Sequence, residues 1–192
     1  MTSSETYDKI LQTARRLFVQ QGYTATSMRQ VAEQAEIGKA TIYHHFPDKQ
    51  AIVMALLQKS TDRMDEVLEV IRAEGDPRQR IRVAVTASIA FLLESADILQ
   101  IVRREVPSGR DQMQSKFVRF FQEYIVLLTD AIQRGMEQGT FRSVDPANAA
   151  RVLLTTVQGT FAMAYLVGER PQSPEESAAK LLEIYFQGID AR

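Results

Sequence analysis

The fold is decided by Ser27-Met28-Arg29-Gln30-Val31-Ala32-Glu33-Gln34-Ala35-Glu36-Ile37-Gly38-Lys39-Ala40-Thr41-Ile42-Tyr43-His44-His45-Phe46-Pro47. Ser27 with Gln30 three residues on forms a capping box that starts a helix. Met28, Val31, Ala32 and Ala35 give that helix one apolar face. Glu36-Ile37-Gly38 makes a short turn, and a second helix follows from Lys39 until Pro47 stops it. Two short helices joined by a tight turn form a helix-turn-helix. The second helix has two obvious inward anchors, Ile42 and Phe46, four residues apart. Its remaining residues are polar, short or amphipathic, as suits a helix that enters the DNA major groove.

Candidate contacts follow from side-chain chemistry. Lys39 can donate to guanine O6 and N7, while Ala40 and Thr41 are small enough for close approach, and a Thr hydroxyl or methyl can touch bases. Tyr43, His44 and the Lys49 ammonium can reach phosphate oxygens. Thr26 and Ser27 stand at a helix N-terminus, where backbone N–H groups favour a phosphate. His44 and His45 are the only histidines. Being adjacent, they point about 100° apart on a helix and cannot grip a metal together. His45 is expected to pack beneath the helix, and Arg15 and Arg16 to form the wet face of the helix before it.

Working outward, a first helix covers about residues 4–21, with Ile10, Leu11, Ala14, Leu17 and Phe18 on one face and Gly22 as its stop. Asp48 caps a long helix over residues 49–72. Further helices are expected at about 77–95, 97–105, 110–138, 146–168 and 174–189. Their separators are Ala73-Glu74-Gly75-Asp76-Pro77, Ser95-Ala96-Asp97, Pro107-Ser108-Gly109, the segment 139–146, and Arg170-Pro171-Gln172-Ser173-Pro174. Strand signals are nearly absent. The expected fold is all-α with about nine helices: a DNA-binding domain at residues 1–50, joined through the long helix to an effector-binding and dimerisation bundle at 51–192.

The chain has 192 residues and is 45% hydrophobic and 24% charged, a globular composition. Without cysteine it has no disulfide, thiol nucleophile or thiolate metal site. No secretory signal is visible, which fits a cytoplasmic location. The 17 uncharged residues Val152–Gly168 approach the length of a membrane span, but their Thr and Gln content fits a buried helix better. The net charge is −1, while residues 1–60 hold seven Lys/Arg against five Asp/Glu. The basic part is therefore also the part that carries the motif.

From Thr26 to Lys49, and in Ala14-Arg15-Arg16-Leu17-Phe18-Val19-Gln20-Gln21-Gly22-Tyr23 before it, the chain closely resembles the TetR family of transcriptional regulators. The resemblance covers about residues 5–57. Gly38 departs from a position where the family often has Ser, and Gly is an acceptable cap. The resemblance implies a homodimer with a helical C-terminal ligand domain, and repression relieved by a small molecule.

The C-terminal half is rich in aromatics. Phe117, Phe121 and Tyr124 share one helix face, and Leu154, Gln158, Phe161 and Tyr165 share a face of the next. With Phe91 these make the candidate ligand-binding set Phe91, Phe117, Phe121, Tyr124, Gln158, Phe161 and Tyr165, for a hydrophobic or aromatic effector. Gln158 needs a polar partner on its apolar face, either a ligand or water or a neighbouring backbone group. In the final helix Ala178, Leu181, Leu182, Tyr185 and Ile189 form one stripe, with Ile184 and Phe186 elsewhere. A helix apolar nearly all round needs cover on two sides. A second copy supplies it if the last two helices dimerise, and Gly159, Ala162 and Ala164 permit close approach. The expected partners are a palindromic double-stranded DNA operator, a small-molecule effector and a second copy, with no membrane and no cofactor. No nucleophile motif, metal cluster or phosphate loop points to an enzyme; Gly135 and Gly139 read as punctuation at a helix end. The alternative is an all-helical dimeric adaptor or small-molecule-binding protein that does not bind DNA.

Overall fold

A computed structural model describes residues 2–72, 75–168 and 173–190, without the side chains of Ser108, Gln112 and Tyr165. The expected separators at Ala73-Glu74 and Arg170-Pro171-Gln172 lie outside the described residues. Among those described there are eight helices: α1 (Ser3–Gln21), α2 (Met28–Gln34), α3 (Lys39–His45), α4 (Lys49–Arg72), α5 (Pro77–Glu105), α6 (Pro107–Glu137), α7 (Pro146–Val167) and α8 (Pro174–Ile189). Among the described residues no strand forms, and the only extended pairing is an isolated bridge between Phe141 and Asp190.

The expected break at Ser95-Ala96-Asp97 does not occur, so two anticipated helices are the single helix α5. None of these residues is an obligate helix breaker. Ser95 is buried, and Asp97 accepts two hydrogen bonds from Arg15, at 2.8 and 2.9 Å. Ile98 and Val102 continue the buried face beyond them. Pro107-Ser108-Gly109 is likewise no separator but the first turn of α6, where proline is tolerated because its missing N–H would have had no helical acceptor.

The described residues form two compact units. The first comprises residues 1–61 and 95–115. Its core joins Ile10, Leu11, Ala14, Leu17 and Phe18 of α1 to Val31, Ile42, Phe46, Ile52 and Leu56, and includes Ile98, Val102 and Val106. α1 starts slightly earlier than expected, at a capping box whose pattern, Thr2-Ser3-Ser4-Glu5, stands in the sequence. Thr2 accepts from the Glu5 N–H, and Glu5 returns the bond to the Thr2 N–H.

The second unit comprises residues 62–94 and 116–192. Within it the buried guanidinium of Arg80 donates twice to the Ile71 carbonyl, at 3.1 and 2.9 Å, and once to Asp130 at 3.2 Å. It thereby satisfies a carbonyl at the end of α4 that the helix itself leaves open. In α8 the buried stripe is Ala178, Leu182, Phe186 and Ile189. Phe186 thus points inward, contrary to the sequence expectation, because the Phe141 ring stacks on it at 5.9 Å. Arg142 holds this end of α8 from outside: its N–H donates to the Ile189 carbonyl and its Nε to the Gly188 carbonyl.

By length and composition α5 is apolar and long enough to cross a membrane. Three of its polar side chains are engaged within the protein: Arg80 as above, Ser88 with Tyr124, and Asp97 with Arg15. The Val152–Gly168 stretch of α7, expected to be buried on most sides, is open on one side of the single chain. Val152, Met163, Leu166 and Val167 are all exposed.

Candidate functional site

The α2–α3 pair is built by local chemistry. Ser27 accepts from the Gln30 N–H at 3.2 Å, while Gln30 Oε1 accepts from the Ser27 N–H at 2.8 Å. Ser27 also donates its hydroxyl to that Oε1 at 2.9 Å. The turn after α2 uses Glu36 in the left-handed region, φ 54°. Its side chain is exposed and pairs with Lys9 at 3.1 Å. Gly38 is in ordinary extended conformation and caps α3 without a side chain.

α3 rests on the two expected anchors, both buried: Ile42 inside the helix and Phe46 as its C-cap. Lys39, Ala40, Tyr43 and His44 are exposed, Tyr43 at 46%, and Thr41 is half-buried. These residues therefore stand together on the open side of a firmly seated helix. His45 turns away toward α1, with its ring 6.3 Å from Tyr7, and Tyr7 stacks on Phe46 at 5.0 Å. Among the described residues no group of three potential ligands could hold a metal.

Three of the polar side chains singled out in the sequence are engaged within the protein. Thr26 is only 2% exposed; its hydroxyl donates to the Gly22 carbonyl at 2.8 Å and accepts from Gln21 Nε2 at 3.1 Å. Its side chain thereby folds the α1–α2 turn. The Lys49 ammonium donates to the carbonyls of Tyr23, at 2.7 Å, and Thr24, at 3.3 Å, and sits 4.5 Å from the Tyr23 ring centre. Lysine has three donors, so Lys49 works first as a clasp between α4 and the α1–α2 turn, with one N–H left over. Arg15, taken as a solvated residue, is instead the partner of Asp97. That pairing spans 82 residues and no short-range pattern announces it.

In the second unit Phe91, Phe117, Phe120, Phe121 and Tyr124 form an aromatic cluster with ring centres 5.3 to 6.4 Å apart. Phe120 rather than Phe117 or Phe121 is the buried ring next to Tyr124. Burial pushes the Tyr124 hydroxyl up to about 12, against a smaller opposing effect of the Ser88 hydrogen bond. Tyr124 therefore stays neutral and accepts from Ser88 at 3.0 Å. Gln158 and Phe161 are half-buried on α7, and the Tyr165 side chain lies outside the described residues. Among the described residues no ring contact joins Phe161 to the α5–α6 cluster. A cleft of about 320 Å³ lies elsewhere, lined by Arg78, Arg82, Ala179, Glu183, Phe186, Gln187 and Asp190.

Comparison with known proteins agrees with this architecture in both halves. Residues 10–56 match the family described as bacterial regulatory proteins, tetR family, and residues 74–162 match a tetracyclin repressor-like C-terminal domain. The chain is 30% identical over 191 residues to the HTH-type transcriptional regulator YvkB of Bacillus subtilis (strain 168), covering 97% of this chain and 98% of that one. The crystal structure of the TetR family regulator PfmR from Thermus thermophilus is 26% identical, with a TM-score of 0.68 over 93% of this chain and 97% of that one. AibR, solved in complex with isovaleryl coenzyme A and operator DNA, shares the fold at 24% identity. Its TM-score is 0.63, over 94% of this chain and 98% of AibR. With a capped helix-turn-helix, a helical C-terminal half and full-length similarity to such a regulator, this chain belongs to the TetR family of bacterial transcriptional regulators.

Proposed function

We propose that the protein is a homodimeric repressor that reads a palindromic operator through α3 and leaves it when a small hydrophobic or aromatic molecule binds the C-terminal bundle. The observation that carries the reading is the open face of α3: Lys39, Ala40, Tyr43 and His44, with Thr41 at its edge, on a helix anchored by Ile42 and Phe46. Residues 1–50 would read DNA, with Lys39, Ala40 and Thr41 at base edges and Tyr43, His44 and Ser27 at phosphates. Residues 51–192 would bind the effector and dimerise. The protein would work in the cytoplasm, as a regulator rather than an enzyme.

Dimerisation has its own support. On α7, Val152, Thr156, Gly159, Met163 and Leu166 fall at helical spacing and are exposed, Leu166 at 76%. A side chain added at Gly159 would meet nothing within 4 Å, so a neighbouring helix can come close there. Ile184 on α8 is also 76% exposed. An exposed apolar stripe on α7, with the exposed Ile184 on α8, suits a self-complementary interface. For the effector, the aromatic cluster around Phe91, Phe117, Phe121 and Tyr124 supplies planar apolar surface, with the Ser88–Tyr124 pair as its polar handle. AibR is a precedent for one such fold engaging both a small molecule and an operator. Release requires that the ligand bind the DNA-incompetent state more tightly, because only differential affinity shifts the equilibrium.

The test is selection from a random duplex library at near-physiological salt, since phosphate attraction alone enriches no sequence. An inverted repeat is the expected product. A folded, dimeric, ligand-free protein that enriches nothing would contradict the reading and favour an adaptor.

A further inference from the structure

The first compact unit includes the end of α5 and the start of α6 as well as the helix-turn-helix. Three arginines project from this corner. Arg103, Arg104 and Arg110 are exposed, and among the described residues none of them makes an ion pair; Arg110 donates to the Arg104 carbonyl at 3.3 Å. The corner is rigidly attached to the reading helices. Ile98, Val102 and Val106 are buried in the same core as Ile42 and Phe46. Gly109 lets α6 approach α4 so closely that a β-carbon there would lie 3.0 Å from both Met54 and Val102. Thr24 donates to Glu105 at 3.2 Å, which fixes the last turn of α5 beside the α1–α2 turn, three residues before the Ser27 cap. Tyr23 reports the same proximity: burial raises its pKa, and the charges of Asp48 and Glu105 raise it further.

We propose that Arg103, Arg104 and Arg110 form a second DNA-contacting patch, which binds phosphates flanking the bases read by α3. This rests on the reading of α3 as the recognition helix and extends the interface beyond the helix-turn-helix. Asp48, Asp97, Glu105 and Asp111 are opposing charges in this unit; Glu105 is already engaged by Thr24 and Asp97 by Arg15. Arginines in the last turn of α5 also complement its helix dipole. That role touches helix stability and not DNA, so the two are separable.

The experiment compares the full-length wild type with Arg103→Gln/Arg104→Gln/Arg110→Gln on an enriched duplex, by fluorescence anisotropy across a salt series. Each phosphate contact removed should flatten the slope of log affinity against log salt by about 0.9. At physiological salt the triple variant is expected to bind roughly ten-fold more weakly, while still enriching the same sequence, because phosphate contacts position but do not specify. Trimming the flanking base pairs should weaken the wild type and leave the variant unchanged. Tyr43→Ala is run beside it. If the wild type binds while the triple variant matches it in slope and flank dependence, the corner proposal fails alone. If the wild type binds no duplex, both fail. An unchanged melting temperature in the variant separates lost contacts from lost structure.

Discussion

Operator affinity is expected to fall by at least about 100-fold in a chain carrying Lys39→Gln and Tyr43→Ala, because each lost contact is worth roughly 1–3 kcal/mol and a dimer loses both copies. The same substitutions should barely change stability. Both side chains are exposed, Tyr43 at 46%, and neither Ile42 nor Phe46 is touched. Surface changes of this kind usually stay within about 0.5 kcal/mol each. The informative result is therefore a pair of measurements: anisotropy on the enriched duplex and denaturant unfolding. Lost binding with an unmoved unfolding midpoint assigns the two residues to the interface. Retained binding would remove them from it.

The largest expected stability effect lies at Gly135, far along the chain from the motif. An alanine β-carbon at that position would fall 2.2 Å from Cδ2 and 2.4 Å from Cε2 of Phe141. The Phe141 ring cannot easily give way. It is buried, stacked on Phe186, and followed by Arg142, whose N–H and guanidinium hold the end of α8. The guanidinium of Arg78 covers Phe186, 4.6 Å from its ring centre. Helix propensity favours alanine over glycine by about 1 kcal/mol, but overpacking a tight core costs typically about 1–3 kcal/mol and occasionally more. Here the contact falls below any normal separation, so a net loss of about 2 kcal/mol is expected, or roughly 4–8 °C in Tm for a chain of this size. Adding Phe141→Leu should recover part of the loss, since it removes the ring that clashes. Denaturation of the four combinations measures this coupling. A Gly135→Ala chain as stable as the wild type would show that the loop repacks freely.

The helix-turn-helix was readable because its determinants are local. A capping box, a two-anchor helix and a proline stop all fall within Ser27–Pro47, and the structure reproduces each. Most of what escaped the sequence is held by distant partners. The continuity of α5 through Ser95-Ala96-Asp97 is supported by Arg15, 82 residues away. Lys49 is expected at a phosphate by type and Thr26 by its place at a helix N-terminus, yet the Thr26 hydroxyl and the Lys49 ammonium serve the α1–α2 turn. No periodicity reveals that a hydroxyl or ammonium will be captured by a backbone carbonyl. Phe186 turns inward because a loop residue, Phe141, arrives to meet it. Phe120 is the inward member of the α6 aromatics, and choosing among neighbouring rings requires knowing where α5 lies. Gly135 looks like punctuation, whereas its lack of a side chain is a steric requirement. The effector set was legible only as helix faces, since a pocket is shaped by several helices at once.

The most direct test of the central claim is a chemical footprint of the wild-type protein on a duplex enriched by selection. Two protected major-groove stretches are predicted, related by two-fold symmetry and centred about 34–36 Å apart or a multiple of that spacing. Both should vanish together in the Lys39→Gln/Tyr43→Ala chain. Protection confined to the minor groove, or a single unpaired stretch, would contradict a dimer that reads DNA through α3.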